Sequence, residues 1–533
     1  MGNLCLVGPG AARRPLLAAL VVPLAACAVG PDFIPPAAPI TDKFLGGSSR
    51  SIKSNSQDYG SWWKAFHDPT LDQLVHIAYD QNLTLLSAGT RVLQARAVLG
   101  IAVGSFYPQL QQGTGSLIYT QPSAATPLAL PNATPTQFWT DSLAVQAAWE
   151  LDFWGKFRRG VESADGAYLA SIASYDDVLV RLLTYVGIRT TEQLIAIARS
   201  NISKQEESLK IAKAKYTGGG SSERDVFQAT NVLEQTRAAI PQFTIQLQQG
   251  QNALCVLLGI PPQQLGALLA RSRARIPEPP PTIAVGIPAD LLRRRPDVRS
   301  AELAALAQNA QIGVAEAQLY PAISITGTFG GAASTANGHN LGEVVSARGI
   351  TYAAGPSFQW NILNYGQITN NVRLQDAKLQ QLLVDYQNAV LKAQQQVDDG
   401  ISAFLQSRVQ VGYLRKSVTA AQGALKVGTE QYEQGATDFT TVLIAEQNLF
   451  QAESSLAQAS ANAALGAIAI YRALGGGWQI REDSYFVTAP TADQMRARTN
   501  WGPLLPPPRA PQPPTPGVPS PSDIRPTVRL PEW

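Results

Sequence analysis

The sequence predicts a mainly α-helical chain with a membrane β-barrel segment, in which one architectural unit is used twice. Three observations carry that reading. The first is internal duplication: Leu99-Gly100-Ile101-Ala102 and Phe106-Tyr107-Pro108 return as Ile312-Gly313-Val314-Ala315 and Leu319-Tyr320-Pro321, 213 positions later. Trp149 to Gly155 returns as Trp360 to Gly366 at an offset of 211, and Tyr216, Ala229, Leu233, Leu258 and Gly259 return as Tyr432, Ala445, Leu449, Leu474 and Gly475 at 216. The second is a switch to period two, clearest where Leu143, Val145, Ala147, Trp149 and Leu151 alternate with Ser142, Ala144, Gln146, Ala148 and Glu150. Segments of about ten residues with one apolar, aromatic face and one small, polar face suit a barrel with a wet lumen. The third is a four-three spacing that runs from Leu379 through Tyr386, Val390, Val397, Phe404 and Val411 to Tyr432. It sets a left-handed coiled-coil seam, and those 54 residues make a rod of about 80 Å.

Taken in order, Arg13 and Arg14 precede an apolar stretch, Leu16 to Ala26, too short to span a bilayer, so residues 1–26 read as a secretory signal. The stretch ends in Leu24-Ala25-Ala26-Cys27, which resembles a bacterial lipobox; cleavage before Cys27 and acylation of its thiol are expected. Ala28, where an Asp would retain the protein at the inner membrane, implies sorting to the outer membrane. An N-myristoylation motif fails because Leu6 stands where it needs Ser or Thr. Residues 27–60, rich in Pro, Ser and Gly, read as a lipidated tether.

The first repeat covers 61–270. Asp68 and Pro69 supply an N-cap and an N1 proline, a second helix runs from about 83 to 105, and a β-hairpin follows at about 107–153. A helical hairpin over 161–258 turns at 217–222, with Pro241 inside its return helix, where it bends the helix at a cost of about 3 kcal/mol. Residues 271–295 link the repeats, and the arginines of Asp290 to Val298 read as a structural connection rather than an anion site. The second repeat, 296–480, has its β-hairpin at about 320–363 and its helical hairpin at 367–474, turning at 433–438. Pro356 argues against a central strand unless it sits at a bulge or rim. Loops at about 121–137 and 331–350 join the strands. The tail, 481–533, has 12 prolines in its last 31 positions and no core of its own.

Two strand pairs give four strands per chain, too few for any barrel, whereas three chains give twelve. Seam positions rich in Ala and Gly bury little area per residue, which also favours closure of several chains around one axis. The formal charge of +3 falls to +1 once the signal is removed, and no basic stripe suits nucleic acid. The three cysteines leave no disulfide framework, and His67, His76 and His339 lack metal-ligand spacing, so neither cofactor nor metal is expected. No Ser, His and acid cluster points to a hydrolase.

The stretches Cys27 to Phe33, Trp62-Trp63 with Asp68-Pro69-Thr70-Leu71 and Gln81-Asn82-Leu83, Asp290 to Val298, and Ala473 to Trp478 together resemble the TolC-type outer-membrane efflux proteins. The likeness is to the lipoprotein branch paired with resistance-nodulation-division pumps. That resemblance implies a homotrimer whose twelve-strand barrel in outer-membrane lipid continues as a helical barrel across the periplasm. Its implied partners are a periplasmic adaptor (membrane fusion) protein and an inner-membrane pump, and it passes small molecules such as drugs without transforming them. It further implies that the outer turns, with Gly218, Gly219, Gly220, Gly435 and Ala436, meet the adaptor, and that Asp225 and Tyr432 help close the pore. Glu223, Arg224 and Asp438 are further gate candidates at these turns. Thr437 stands where the family carries a gate arginine, and Thr441 and Ile444 stand where relatives often carry acidic rings. Two alternatives stay open: the duct of a type I protein secretion system, and an exported coiled-coil scaffold lipoprotein without a pore.

Overall fold

The computed structural model describes residues 28–47, 49–55, 59–123, 137–178, 183–270, 275–290, 294–336, 339–481, 485–505 and 507. The signal, Cys27, Arg293 and the proline-rich tail beyond 507 lie outside the described residues. The chain divides into two compact units, one of residues up to 36 with 94–170 and 302–385, the other of 37–93, 171–301 and 386 onward.

The first unit is built on a four-stranded antiparallel sheet in the order β2 (Leu110–Thr120), β3 (Phe138–Leu151), β5 (Ala322–Ser334), β6 (Ile350–Gln359). Its register keeps the two faces chemically distinct. Gln112 pairs with Gln146 and Ser116 with Ser142, and their side chains hydrogen-bond at 3.2 and 2.9 Å. On the other face Val145, Phe329 and Tyr352 lie across from one another, all exposed in the single chain. Aromatic groups mark both ends: Tyr119 and Trp139 sit 5.1 Å apart at one, and Trp149 and Trp360 donate to the carbonyls of Phe106 and Leu319 at the other. A polar hollow of about 900 Å³ is lined by Glu150, Asp152, Lys156, Gln318, Asn361 and Asn364. Pro356 falls within β6, opposite Ile325, on a strand that is an edge of the sheet only in the single chain. The stretch read as a loop from 331 is shorter, because β5 continues to Ser334 and Leu341–Val345 forms a 3-10 turn.

Residues 28–36 are tied to this unit rather than left as a free spacer. Val29 N–H donates to Trp154 O at 3.0 Å, Arg159 pairs with Asp32 at 2.8 Å, and Asn309 donates to Pro31 O. In the second unit Thr41 and Leu45 donate their backbone N–H groups to Gln394 and Asp398. A stretch with few ladder partners thus satisfies its backbone on side chains distant in sequence, which local composition does not reveal.

The second unit contains α1 (Pro69–Gln81), α4 (Leu183–Thr217), α5 (Glu223–Leu257), the single turn α6 (Gly266–Leu269) and α9 (Phe439–Ala473). α2 (Leu83–Gly104), α3 (Lys156–Val178), α7 (Pro296–Ala317) and the 67-residue α8 (Gln367–Glu433) have residues in both units. Asp68 caps α1 by accepting from the N–H groups of Thr70 and Leu71, and Pro69 takes the first position. In the first copy α3 is described as far as Val178 and α4 from Leu183, with 179–182 outside the described residues. Its counterpart α8 runs unbroken, and α5 is helical through Pro241.

The seam is where the spacing predicts it. Tyr386, Val390, Ala393, Val397 and Phe404 on α8 and Val442, Leu449, Ala459, Ala463 and Ile470 on α9 are all buried. A Cβ at Gly466 would lie 2.7 Å from the Phe404 backbone nitrogen, so glycine is what lets α8 and α9 touch there. Trp62 stacks on Tyr471 at 5.6 Å, and the core continues through Trp63, Leu74, Tyr185, Ile188 and Leu254. β1 (Ile52–Lys53) and β4 (Ile283–Ala284) pair in parallel beside it. Arg295 is buried and donates to Ala473 O, Asp297 and Gln396, the structural connection expected of that segment. The C-terminal α10 (Ala489–Arg498) packs Ala492 and Met495 with Leu93 and Val487. Among the described residues no helix is long and apolar enough to cross a membrane.

Candidate functional site

Both helical hairpins turn by the same device. Gly219 and Gly435 each have φ +76°, and the turn closes with paired bonds: Gly220 N–H to Lys215 O and Gly219 N–H to Tyr216 O, then Ala436 N–H to Gln431 O and Gly435 N–H to Tyr432 O. These are the two reciprocal bonds of a glycine-terminated helix, in which only glycine takes the left-handed position without strain. Gly218, Gly219, Gly220, Gly435 and Ala436 are exposed.

The charged candidates divide by task. Asp438 is the N-cap of α9, accepting from Thr441 N–H at 3.1 Å and from its hydroxyl at 3.0 Å. Glu223 and Asp225 lie in the first turn of α5, where carboxylates complement the helix dipole. Asp225 accepts from Ser222 Oγ at 3.1 Å, and Arg224 Nε stands 3.8 Å away on a largely exposed side chain, a surface pair worth about 0–1 kcal/mol. No bond joins Asp225 to Tyr432 within the chain.

Tyr432 is the centre of a small apolar cluster with Phe439, Val442, Leu443, Ala212, Ala229 and Val232, its ring 4.9 Å from that of Phe439. Its hydroxyl is buried and lies beside Ser221 without a partner in hydrogen-bonding geometry. Burial above all, reinforced by the charge of Asp225 and opposed by Ser221, pushes the Tyr432 phenol up. Lys215, at the end of α4, donates to the Tyr432 carbonyl and holds its ammonium 4.3 Å from the Tyr432 ring centroid. One lysine therefore ties the first hairpin's turn to the second's. The only sequence signal for it is a basic residue in a last helical turn whose repeat counterpart is Gln431.

Glu446, beside the seam residue Ala445, is a second group the spacing does not mark. It is 2 % exposed, and its Oε1 has no hydrogen-bond partner. Burial pushes its carboxyl up, against a smaller opposing effect of Ser208. A carboxyl raised in the fold binds its proton more tightly there than in the unfolded chain, so its contribution is fully present in acid and is lost as pH rises through the raised value. Glu446→Gln is therefore expected to melt with the wild type near about pH 4 and above it near about pH 8. Thermal melts in detergent check this, and equal shifts at both pH values would contradict it.

Residues 74–260 and 287–476, one stretch in each repeat, match the model of the outer membrane efflux protein family. The chain belongs to this family. Nodulation protein T of Rhizobium leguminosarum bv. viciae is 30% identical over 476 residues, which cover 87% of this chain and 93% of that protein. The toluene efflux pump outer membrane protein TtgF of Pseudomonas putida is 28% identical, covering 86% and 96%. Among solved structures, the outer-membrane channel OprN superposes with a TM-score of 0.77 at 29% identity, covering 85% of this chain and all of that one. The open state of the Neisseria gonorrhoeae MtrE outer membrane channel gives 0.69 at 25%, covering 85% and 99%. The protein is an outer-membrane efflux channel, a transport protein and not an enzyme.

Proposed function

We propose that three copies of this chain close around one axis as the outer-membrane channel of a tripartite efflux pump. A periplasmic adaptor and an inner-membrane resistance-nodulation-division pump deliver small toxic molecules to it. The observation that carries the reading is the sheet: four strands with an exposed apolar face and a polar face cannot close alone, and three such sheets give twelve strands. The printed names of relatives support the cargo class, since TtgF is named for toluene efflux and CusC of Escherichia coli for cation efflux. Acylated Cys27 anchors each copy to the membrane. The hairpin turns form the narrow mouth, with Asp225 and Tyr432 contributing to its closed state and the exposed turn glycines meeting the adaptor.

The test is complementation. In a host lacking its own outer-membrane efflux channel, this chain is expressed with a periplasmic adaptor and a resistance-nodulation-division pump, and export of a fluorescent dye is followed. Export is expected to return, and Cys27→Ser is expected to reduce the amount reaching the outer membrane. Dye retention despite mature protein in the outer membrane, adaptor and pump being present, would contradict the proposal.

A further inference from the structure

The duplication makes each contact between the two repeats within one chain a template for the contact between neighbouring chains. Inside the chain, the end of the first β-hairpin docks on the start of the second. Trp154 stacks on Tyr320 with ring centroids 4.6 Å apart and planes 22° from parallel, and Trp154 Nε1 donates to Pro321 O at 2.8 Å. The repeat carries Trp154 to Tyr365 and Tyr320 to Tyr107, by offsets of 211 and 213. Both aromatic partners of this second stack are largely exposed: Tyr365 is 96% exposed, and Tyr107, which meets only the edge of Phe106 at 6.2 Å among the ring contacts of the described residues, is 62% exposed. Tyr365 also has φ +48°, next to Gly366 at φ +80°, just as Trp154 precedes Gly155 at φ +77°. A non-glycine residue in the left-handed region persists where its surroundings fix it, and among the described residues nothing covers the Tyr365 ring.

The strands carry the same template. β3 pairs with β5, leaving β2 and β6 as open edges. β3 maps onto β6 by 211, and β2 maps onto β5 by 212, because Gly113 opposite Val145 corresponds to Ile325 opposite Pro356. Transferring the pair Ala147–Gly327 sets Phe358 opposite residue 115 of the next copy, and transferring Val145–Phe329 sets Pro356 opposite residue 117. An aromatic side chain over a glycine and a proline beside a leucine keep the apolar face continuous across the joint.

We infer that Tyr365 stacks on Tyr107 of the partner subunit and that β6 pairs with β2 of the partner subunit in this register, Phe358 facing Gly115. The inference rests on the proposed closure by identical copies and adds its seam. Gly115 leaves room for a side chain, since a Cβ there would meet only ordinary contacts at 3.7 Å. Opposed residues of an antiparallel pair lie about 5 Å apart, within disulfide reach.

The experiment oxidises the full-length protein carrying Gly115→Cys with Phe358→Cys in detergent and compares it with Tyr119→Cys with Phe358→Cys, four residues out of register. The mass of the wild type is measured in parallel. The expected result is a trimer whose in-register pair gives a reducible covalent trimer on denaturing gels while the shifted pair gives none. Tyr365→Ala is expected to lower the temperature at which the trimer dissociates, and Tyr365→Trp, which restores the repeat's own residue, to keep it. A trimer that cross-links only out of register, or not at all, or whose dissociation is unchanged by Tyr365→Ala, overturns the inference and leaves the proposed channel standing. A monomeric wild type overturns both.

Discussion

Arg189→Leu is expected to lower stability by about 3–5 kcal/mol, the loss found when one partner of a buried charged network is removed. Arg189 is 2 % exposed, and its donations include those to Leu269 O at 2.6 Å, Glu192 at 2.8 Å and the Tyr185 hydroxyl at 3.0 Å. Tyr185 in turn donates to Asp68 at 2.6 Å, and the other oxygen of Asp68 caps α1. The substitution leaves the buried Leu269 carbonyl without this donor and Glu192 without its cation, and a leucine, which ends before the guanidinium, does not fill the space it vacates. Arg189→Lys is expected to recover only part of the loss, because a compact ammonium cannot reach three acceptors set in a planar fork. Thermal melts of the purified protein check the order wild type, Lys variant, Leu variant. A Leu variant melting with the wild type would show that the network holds nothing together.

The second large effect is expected at the hairpin turns. If the resting mouth is closed by contacts of a few kcal/mol, removing one worth about 1.4 kcal/mol raises the open fraction about tenfold. Asp225→Ala removes the carboxylate that stands near Tyr432, and Lys215→Ala releases Tyr432 from the first hairpin's turn. Each is expected to raise the open fraction in planar bilayers by about that factor, while Glu223→Gln, at an exposed first-turn position, changes little. Equal open fractions in the wild type and both alanine variants would remove these residues from the gate. The Lys215 variant separates two readings of the tip: if Tyr432 served only as core, losing its cation would lower the melting temperature without altering conductance.

How much of this was legible in the sequence depends on the distance over which each feature is determined. The seam from Tyr386 to Phe404 and from Val442 to Ile470 is written in local spacing, and so are the strands, because burial and pleat impose periods that survive in one dimension. The caps at Asp68 and the turns at Gly219 and Gly435 are legible for the same reason, each being settled within a few residues. Features set by distant neighbours were not. Gln394 binds Thr41, 353 positions away, and Lys215 meets Tyr432 at a separation of 217, so neither partner predicts the other. Nothing in the local spacing marks Glu446, and only the packing of α9 shows it buried. Asp438, singled out for its charge, is accounted for as a cap, the role its position before Phe439 and its spacing to Thr441 already allowed.

The central claim is a pore made by three chains. Its most direct test is the single-channel conductance of the purified, acylated wild-type protein in planar bilayers, with its mass determined in the same detergent. The account predicts a trimer with a small, flickering conductance, the behaviour of a duct whose mouth is closed at rest and opens transiently. A monomer, or a trimer that conducts nothing even with Asp225→Ala and Lys215→Ala combined, would contradict it.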